Sequence, residues 1–241
     1  FKTFKIDSNQ DQNNDMGIRV QDSTHCVIED VYYANGSFGF YLINSDETPA
    51  IDYSSNYGHS IINCVVDSVQ ETGFTLSGVT KSDIISCKAY SCGTDGFKVR
   101  GYGKWNSLID NYAEGCTRDG FDLFNGFLES IVSGNISQGN TLYGFEVKGT
   151  FDATLGDHPG RDSIFSNNMA IGNTDFGFNI TGIKNMTISG NHAVSNSKSG
   201  FQFATTQGLA VTGCTASKNA QHGFVFQAAA NTSRMMLTGC L

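Results

Sequence analysis

The chain has 241 residues, with 28 Gly, 2 Pro and 12% aromatic residues, 18 of them Phe. That profile excludes collagen, Pro-rich linkers and disordered chains, and charged residues at 16% are too few for a long-helix protein. A net charge of −8 disfavours a nucleic-acid footprint, and no apolar run reaches the length of a membrane-spanning helix.

In chain order, a Gly-Phe pair (Gly-Ile at its first appearance) recurs at Gly17, Gly39, Gly73, Gly96, Gly120, Gly144, Gly177, Gly200 and Gly223. The steps are 22, 34, 23, 24, 24, 33, 23 and 23 residues. Such a period marks a solenoid. An apolar residue follows three positions after each Gly: Val20, Leu42, Leu76, Val99, Leu123, Val147, Ile180, Phe203 and Phe226. This alternation is a strand signature of period two.

Another apolar column lies twelve residues before the anchor, from Val27 through Ile61, Ile84, Leu108 and Val132 to Val211. Nine residues before it run Asp30, Cys64, Cys87, Asn111, Asn135, Asn168, Asn191 and Cys214. Four before it run Asn35, Val69, Cys92, Cys116, Asn140, Asn173, Asn196 and Asn219. A stacked Asn suits a corner, because it tolerates left-handed backbone and its amide can bond its counterpart one coil away. Three short strands per repeat with Asn corners predict an all-β, single-stranded right-handed parallel β-helix of nine to ten coils. One such domain fills residues 1–241, and the missing initiator Met and abrupt end suggest a piece of a longer chain. The cysteines fall into the ladders and lack Cys-x-x-Cys spacing, so they are expected to be reduced structural thiols.

Two coils are about ten residues longer than the rest, through loop insertions at 44–59 and 149–162. Both leave after the Gly-Phe strand, so they should wall a groove over the coils anchored at Gly73, Gly96 and Gly120. On its floor, Lys98, Asp122 and Glu146 occupy one outward column, and Arg100, Phe124 and Lys148 the next. Asp122 and Glu146 lie on adjacent coils, about 5 Å apart by strand spacing. Carboxyls that close raise one pKa, as acid chemistry on a glycosidic bond requires. Asp119 is a third candidate catalytic carboxyl, whereas Asp95 is expected to matter less. A salt-bridge ladder with Lys98 and Lys148 is the bland alternative, and calcium the one cofactor left open. Trp105, Phe124 and Tyr143 offer aromatic surface to a sugar, and Lys98, Arg100, Lys148, His158 and Arg161 offer charge.

Through its Gly-Phe-x-Val/Leu anchors and Asn ladders, nearly the whole chain resembles the pectate-lyase-like superfamily of right-handed β-helices. The repeats "DGFKV", "DGFDL", "YGFEV" and "HGFVF" are most similar to phage tailspike depolymerases and mannuronan C-5 epimerases. Tyr143-Gly144-Phe145-Glu146-Val147-Lys148 resembles the epimerase element Tyr-Gly-Phe-Asp-Pro-His, with Lys148 in place of the His. That resemblance would make Tyr143 a proton shuttle and Glu146 a carboxylate neutraliser. Polygalacturonase signatures and the pectate lyase Trp-x-Asp-His are absent. The resemblance implies a polysaccharide partner, a virion-tail or extracellular location and a homotrimer. The leading expectation is a tailspike-type depolymerase. Epimerase, lyase and non-catalytic carbohydrate-binding readings remain alternatives.

Overall fold

The computed structural model describes residues 4–7, 16–44, 56–124, 127–149, 160–227 and 233–241. These residues wind through three parallel sheets of nine strands each, visited in strict rotation, with no helix among them. Nine strands per sheet make about eight turns, slightly fewer than the nine to ten coils expected. Their eight steps of about 4.8 Å give a stack roughly 38 Å long. A two-stranded pairing, Gly160–Arg161 with Ile183–Lys184, adds to one corner.

Strands of three or four residues are too short to bury anything alone, so each coil depends on the next for its hydrogen bonds and its core. The Phe after each anchoring Gly points inward. From Phe74 through Phe97, Phe121, Phe145, Phe178 and Phe201 to Phe224 the rings stack at 4.6–4.9 Å, within 10° of parallel. Phe40, the next ring toward the N-terminus, instead meets Phe74 edge-on at 90°. The Gly is required by close approach. A Cβ on Gly120 would lie 2.1 Å from Ser137 Oγ and 2.9 Å from the Gly144 carbonyl.

Both Asn ladders form. Asn111, Asn135, Asn168 and Asn191 are buried; Nδ2 of each of the first three donates to the next Oδ1 at 2.9–3.0 Å, and Asn191 Nδ2 meets Cys214 Sγ at 3.9 Å. The same oxygens accept the backbone amides of Asn111, Asn135 and Asn168. Asn140, Asn173, Asn196 and Asn219 repeat this at the second corner. All seven cysteines are free thiols. Two details differ from expectation. The left-handed backbone belongs to the residue before each ladder position, such as Asp110 and Asn167, because the ladder side chain must point inward. A third corner carries a buried ladder of its own, with amides of Ser82, Asn106 and Ser130 donating to Asn106, Ser130 and Ser163.

The frame also slips by one residue in the coil anchored at Gly39. Ile28, not Val27, pairs with Ile61 and is buried, while Val27 is 66% exposed. Asp30 and Asn35 consequently fall one position short of the ladders and take left-handed backbone, with Asn63 Nδ2 donating to Asp30.

Candidate functional site

Three adjacent strands of the second sheet, Phe97–Arg100, Phe121–Phe124 and Phe145–Lys148, build the floor. Their register sets Lys98 beside Asp122 and Asp122 beside Glu146. Asp95 and Asp119 stand immediately before the anchoring Gly of two consecutive coils, where the chain turns into the sheet. Both are buried rather than outward-facing, and they behave as a short ladder. Asp95 accepts the Asp119 amide at 3.3 Å, and Asp119 accepts the Tyr143 amide at 3.0 Å.

The result is a knot of three buried carboxyls. Asp95, Asp119 and Asp122 each bring one oxygen within 4.8 Å of the others. The Lys98 amine bridges two of them, at 2.9 Å from Asp95 Oδ2 and in contact with Asp122 Oδ2. Arg118 lies over the knot from the surface, 3.8 Å from Asp95 and 3.7 Å from Asp119. Asp119 Oδ2 and Asp122 Oδ1 are buried and accept no hydrogen bond.

Burial therefore decides the protonation of these groups. It pushes the Asp119 carboxyl up to about 7, against the pull of the Tyr143 amide and reinforced by Asp95, Glu146 and Asp122. Asp122 is also raised by burial, with Lys98 opposing. For Lys98, burial works downward, but Asp122 and Asp95 outweigh it and hold the amine charged. One carboxyl that keeps a proton near neutrality, beside another tied to an ammonium, is the division of labour that acid–base chemistry uses.

Beside the knot opens a cleft of about 170 Å³, which shares Asp95, Lys98 and Arg118 and is otherwise lined by Tyr41, Thr72, Thr75, Thr94 and Arg100, with Phe38 and Glu71. Arg100 is held to Tyr41 at 2.6 Å and Ser77 at 3.2 Å.

The remaining expected residues scatter. Glu146, in register with Asp122, lies 3.3 Å from the Lys148 amine and 3.5 Å from Asn179 Nδ2. Phe124 is 37% exposed and pairs in register with Lys148. Tyr143 is half-buried and stacks on Phe176 at 6.0 Å. Burial raises its phenol pKa, with Asp175, Glu146 and Asp119 adding to the effect. Trp105 lies beyond the far end of its strand, where it contacts Lys81, Lys104 and Glu129 rather than the acids. Arg161 is exposed and 3.9 Å from Asp162. His158 and most of both insertions (45–55 and 150–159) lie outside the described residues, as do the groove walls expected from them.

Asp95 and Arg118 are the members that sequence reasoning missed. Asp95, expected to matter less, shares its row with Asp119 just as Asp122 does with Glu146. That shared row was the available signal.

A comparison with curated protein sequences finds no match. Among solved structures, the chain is similar to the catalytic domain of a GH87 α-1,3-glucanase, an aspartate-to-alanine variant in complex with tetrasaccharides. The TM-score is 0.66 at 12% identity, covering 98% of this chain and 58% of that one. It is also similar to the A-module of the Azotobacter vinelandii mannuronan C-5 epimerase AlgE6. There the TM-score is 0.55 at 14% identity, covering 89% of this chain and 63% of that one. The chain thus spans about three-fifths of the length of these relatives, and the likeness is one of fold. The family model for the right-handed β-helix region matches residues 2–156 and 154–240, and with it this chain belongs to the right-handed parallel β-helix family.

Proposed function

We propose that this chain is the catalytic β-helix of a polysaccharide-cleaving hydrolase, with Asp119 as proton donor and Asp122 as its ionised partner. The observation that carries this is the knot itself: two buried carboxyl oxygens without hydrogen-bond donors, one on a group held up to about 7 and the other beside Lys98. A buried group with both a perturbed pKa and a specific charged partner is the physical signature of a working acid or base. Asp119 would give its proton to the departing glycosidic oxygen while Asp122, with an oxygen within 4.8 Å of one on Asp119, attacks the sugar carbon. Water would then displace Asp122 from that carbon and return a proton to Asp119, so that water is added across the bond. Arg118, the exposed group above both Asp95 and Asp119, would have to swing aside for the sugar to enter. Two of the structural relatives, by their names, act on mannuronan and on α-1,3-glucan, which supports a glycan as substrate.

The epimerase alternative fits less well. Proton abstraction by Tyr143 would call for a lowered phenol pKa, and its surroundings raise it. Calcium also fits poorly, because the Lys98 amine already stands between Asp95 and Asp122 where a cation would sit. No step here runs through a metal.

The test is turnover on a panel of polysaccharides, read as new reducing ends and as ultraviolet absorbance of unsaturated products. Hydrolysis gives the first without the second. Asp119→Asn and Asp122→Asn should each lower turnover by about 100-fold or more with the fold intact. Full activity in both variants would refute the assignment. Absorbing products would replace hydrolase with lyase. Glycan retention without products would leave a binding module.

A further inference from the structure

The third corner of the coil carries one left-handed residue per turn: His25, Gly58, Lys81, Trp105, Glu129, Asp162, Asn185, Gly208 and Arg234. Gly and Asn suit this backbone, and bulky aromatic side chains do not. Trp105 nevertheless holds φ +58, is 42% exposed, and is the only Trp in the chain. Strain that persists at an exposed position points to use.

The indole is also fixed in place. Its Nε1 donates to Glu129 at 2.9 Å, one coil further on. Lys104 lies over the ring at 4.0 Å, and Lys81, one coil back, lies 5.4 Å from it. Lys81 is exposed and stands between two rings, since it is also 5.8 Å from Tyr57. Tyr57 in turn meets His25 edge-on at 5.0 Å. The corner therefore presents Tyr57, Lys81 and Trp105 in a row along the rod, apolar and cationic by turns. None of these contacts involves the acid knot.

We propose that Trp105, Lys81 and Tyr57 form a second glycan-binding site, separate from the acids, which takes a pyranose bearing a carboxylate. The C–H face of such a sugar packs on an aromatic ring, and its carboxylate meets the ammonium that the two rings flank. Ring surface alone would serve a neutral sugar equally well. The exposed cation between the rings selects an acidic one, on a chain whose net charge of −8 otherwise repels it. The site would hold a polymer against the rod while the acids cleave elsewhere along it. The ligand class rests on the polysaccharide reading above, but the residues do not take part in that chemistry.

A single Trp makes the test direct, because all indole emission comes from this site. Tetramers of β-mannuronate and of α-1,3-linked glucose serve as acidic and neutral probes. The mannuronate tetramer should change the emission of the intact protein and bind at least tenfold more tightly than the neutral tetramer. Lys81→Met should weaken binding of the acidic tetramer by about tenfold. Trp105→Asn should abolish retention on immobilised mannuronan while leaving Tm within a few degrees, the relieved backbone offsetting the lost contacts to Glu129, Lys104 and Lys81. Unchanged emission with the mannuronate tetramer, equal affinity for both probes, or full retention by Trp105→Asn would each overturn the proposal. Failure of the acid assignment is read separately, in the turnover of the Asp119 and Asp122 variants, and leaves the emission response untouched.

Discussion

Asn135→Leu removes one rung from the middle of a hydrogen-bonded ladder, and its cost can be worked from the contacts. Asn135 is wholly buried. Its Oδ1 accepts the Asn111 amide at 2.9 Å and Asn111 Nδ2 at 3.0 Å, and its own Nδ2 donates to the Leu108 carbonyl at 2.8 Å. After the change, Asn111 Nδ2 keeps the Ile84 carbonyl and Asn168 Oδ1 keeps the Asn135 amide. The Asn111 backbone N–H has no replacement. One orphaned buried donor costs about 1–3 kcal/mol, and the two weakened partners roughly 0.5 kcal/mol each, so the variant should lose about 3 kcal/mol. For a chain of this size that is a Tm lower by roughly 6–12 °C. Urea unfolding gives the free energy, and hydrogen exchange at the Asn111 amide locates it. Asn135→Cys should cost about half as much. A thiol already serves this corner at Cys87, where Sγ lies 3.4 Å from the Cys64 amide. A loss below about 1 kcal/mol for Asn135→Leu, or equal losses for the two variants, would refute the reasoning that the ladder works by satisfying amides.

Two further outcomes follow from the same geometry. Gly120→Ala drives a Cβ into Ser137, Asn140 and the Gly144 carbonyl, and should cost about 3 kcal/mol, at the top of the overpacking range. Gly139→Ala meets nothing within 4 Å and should cost only about 1 kcal/mol, from its left-handed backbone at φ +62; unfolding of both variants checks the contrast. The raised Asp119 carboxyl gives a pH signature. The folded protein retains a proton that the unfolded chain releases near pH 4, so stability is fullest below that and falls as pH rises toward about 7. Melting curves across this range should show the decline, and Asp119→Asn should flatten it. Turnover should also fall above pH 7 as the donor is lost, read from a pH–rate profile.

The repeat was legible because it is physically redundant. Gly, Phe and Asn each answer a constraint that recurs every coil, so nine imperfect copies reinforce one another. What redundancy cannot reveal is a slip in one copy. Counting back from Gly39 placed Val27, Asp30 and Asn35 in columns that the chain had shortened by a residue. The third-corner ladder was hidden for a related reason: Ser82, Asn106, Ser130 and Ser163 share a role but no single residue type. At the site, the column through Lys98, Asp122 and Glu146 could be read because strand pairing preserves register. The row through Asp95 and Asp119 lies just outside the strands, at the bend before the anchoring Gly, and both side chains are buried there. Which way a side chain faces at a bend depends on backbone torsions, and spacing alone does not encode them.

The edge-on meeting of Phe40 and Phe74 marks a seam in an otherwise continuous column of rings. From Phe74 to Phe224 each ring shares its face with the next, so opening one coil exposes two neighbours and the segment should open as a block. Across the seam that sharing is lost, at the same coil where the frame is one residue short. The rod is held there by an edge-on ring contact and by strand pairing from Phe40 with Phe74 to Ile43 with Ser77, rather than by stacked faces. Opening of the coils before Gly73 should leave Asp95, Asp119 and Asp122 within the block that the stacked rings hold together, but would strip Phe38 and Tyr41 from the cleft and release Arg100 from Tyr41.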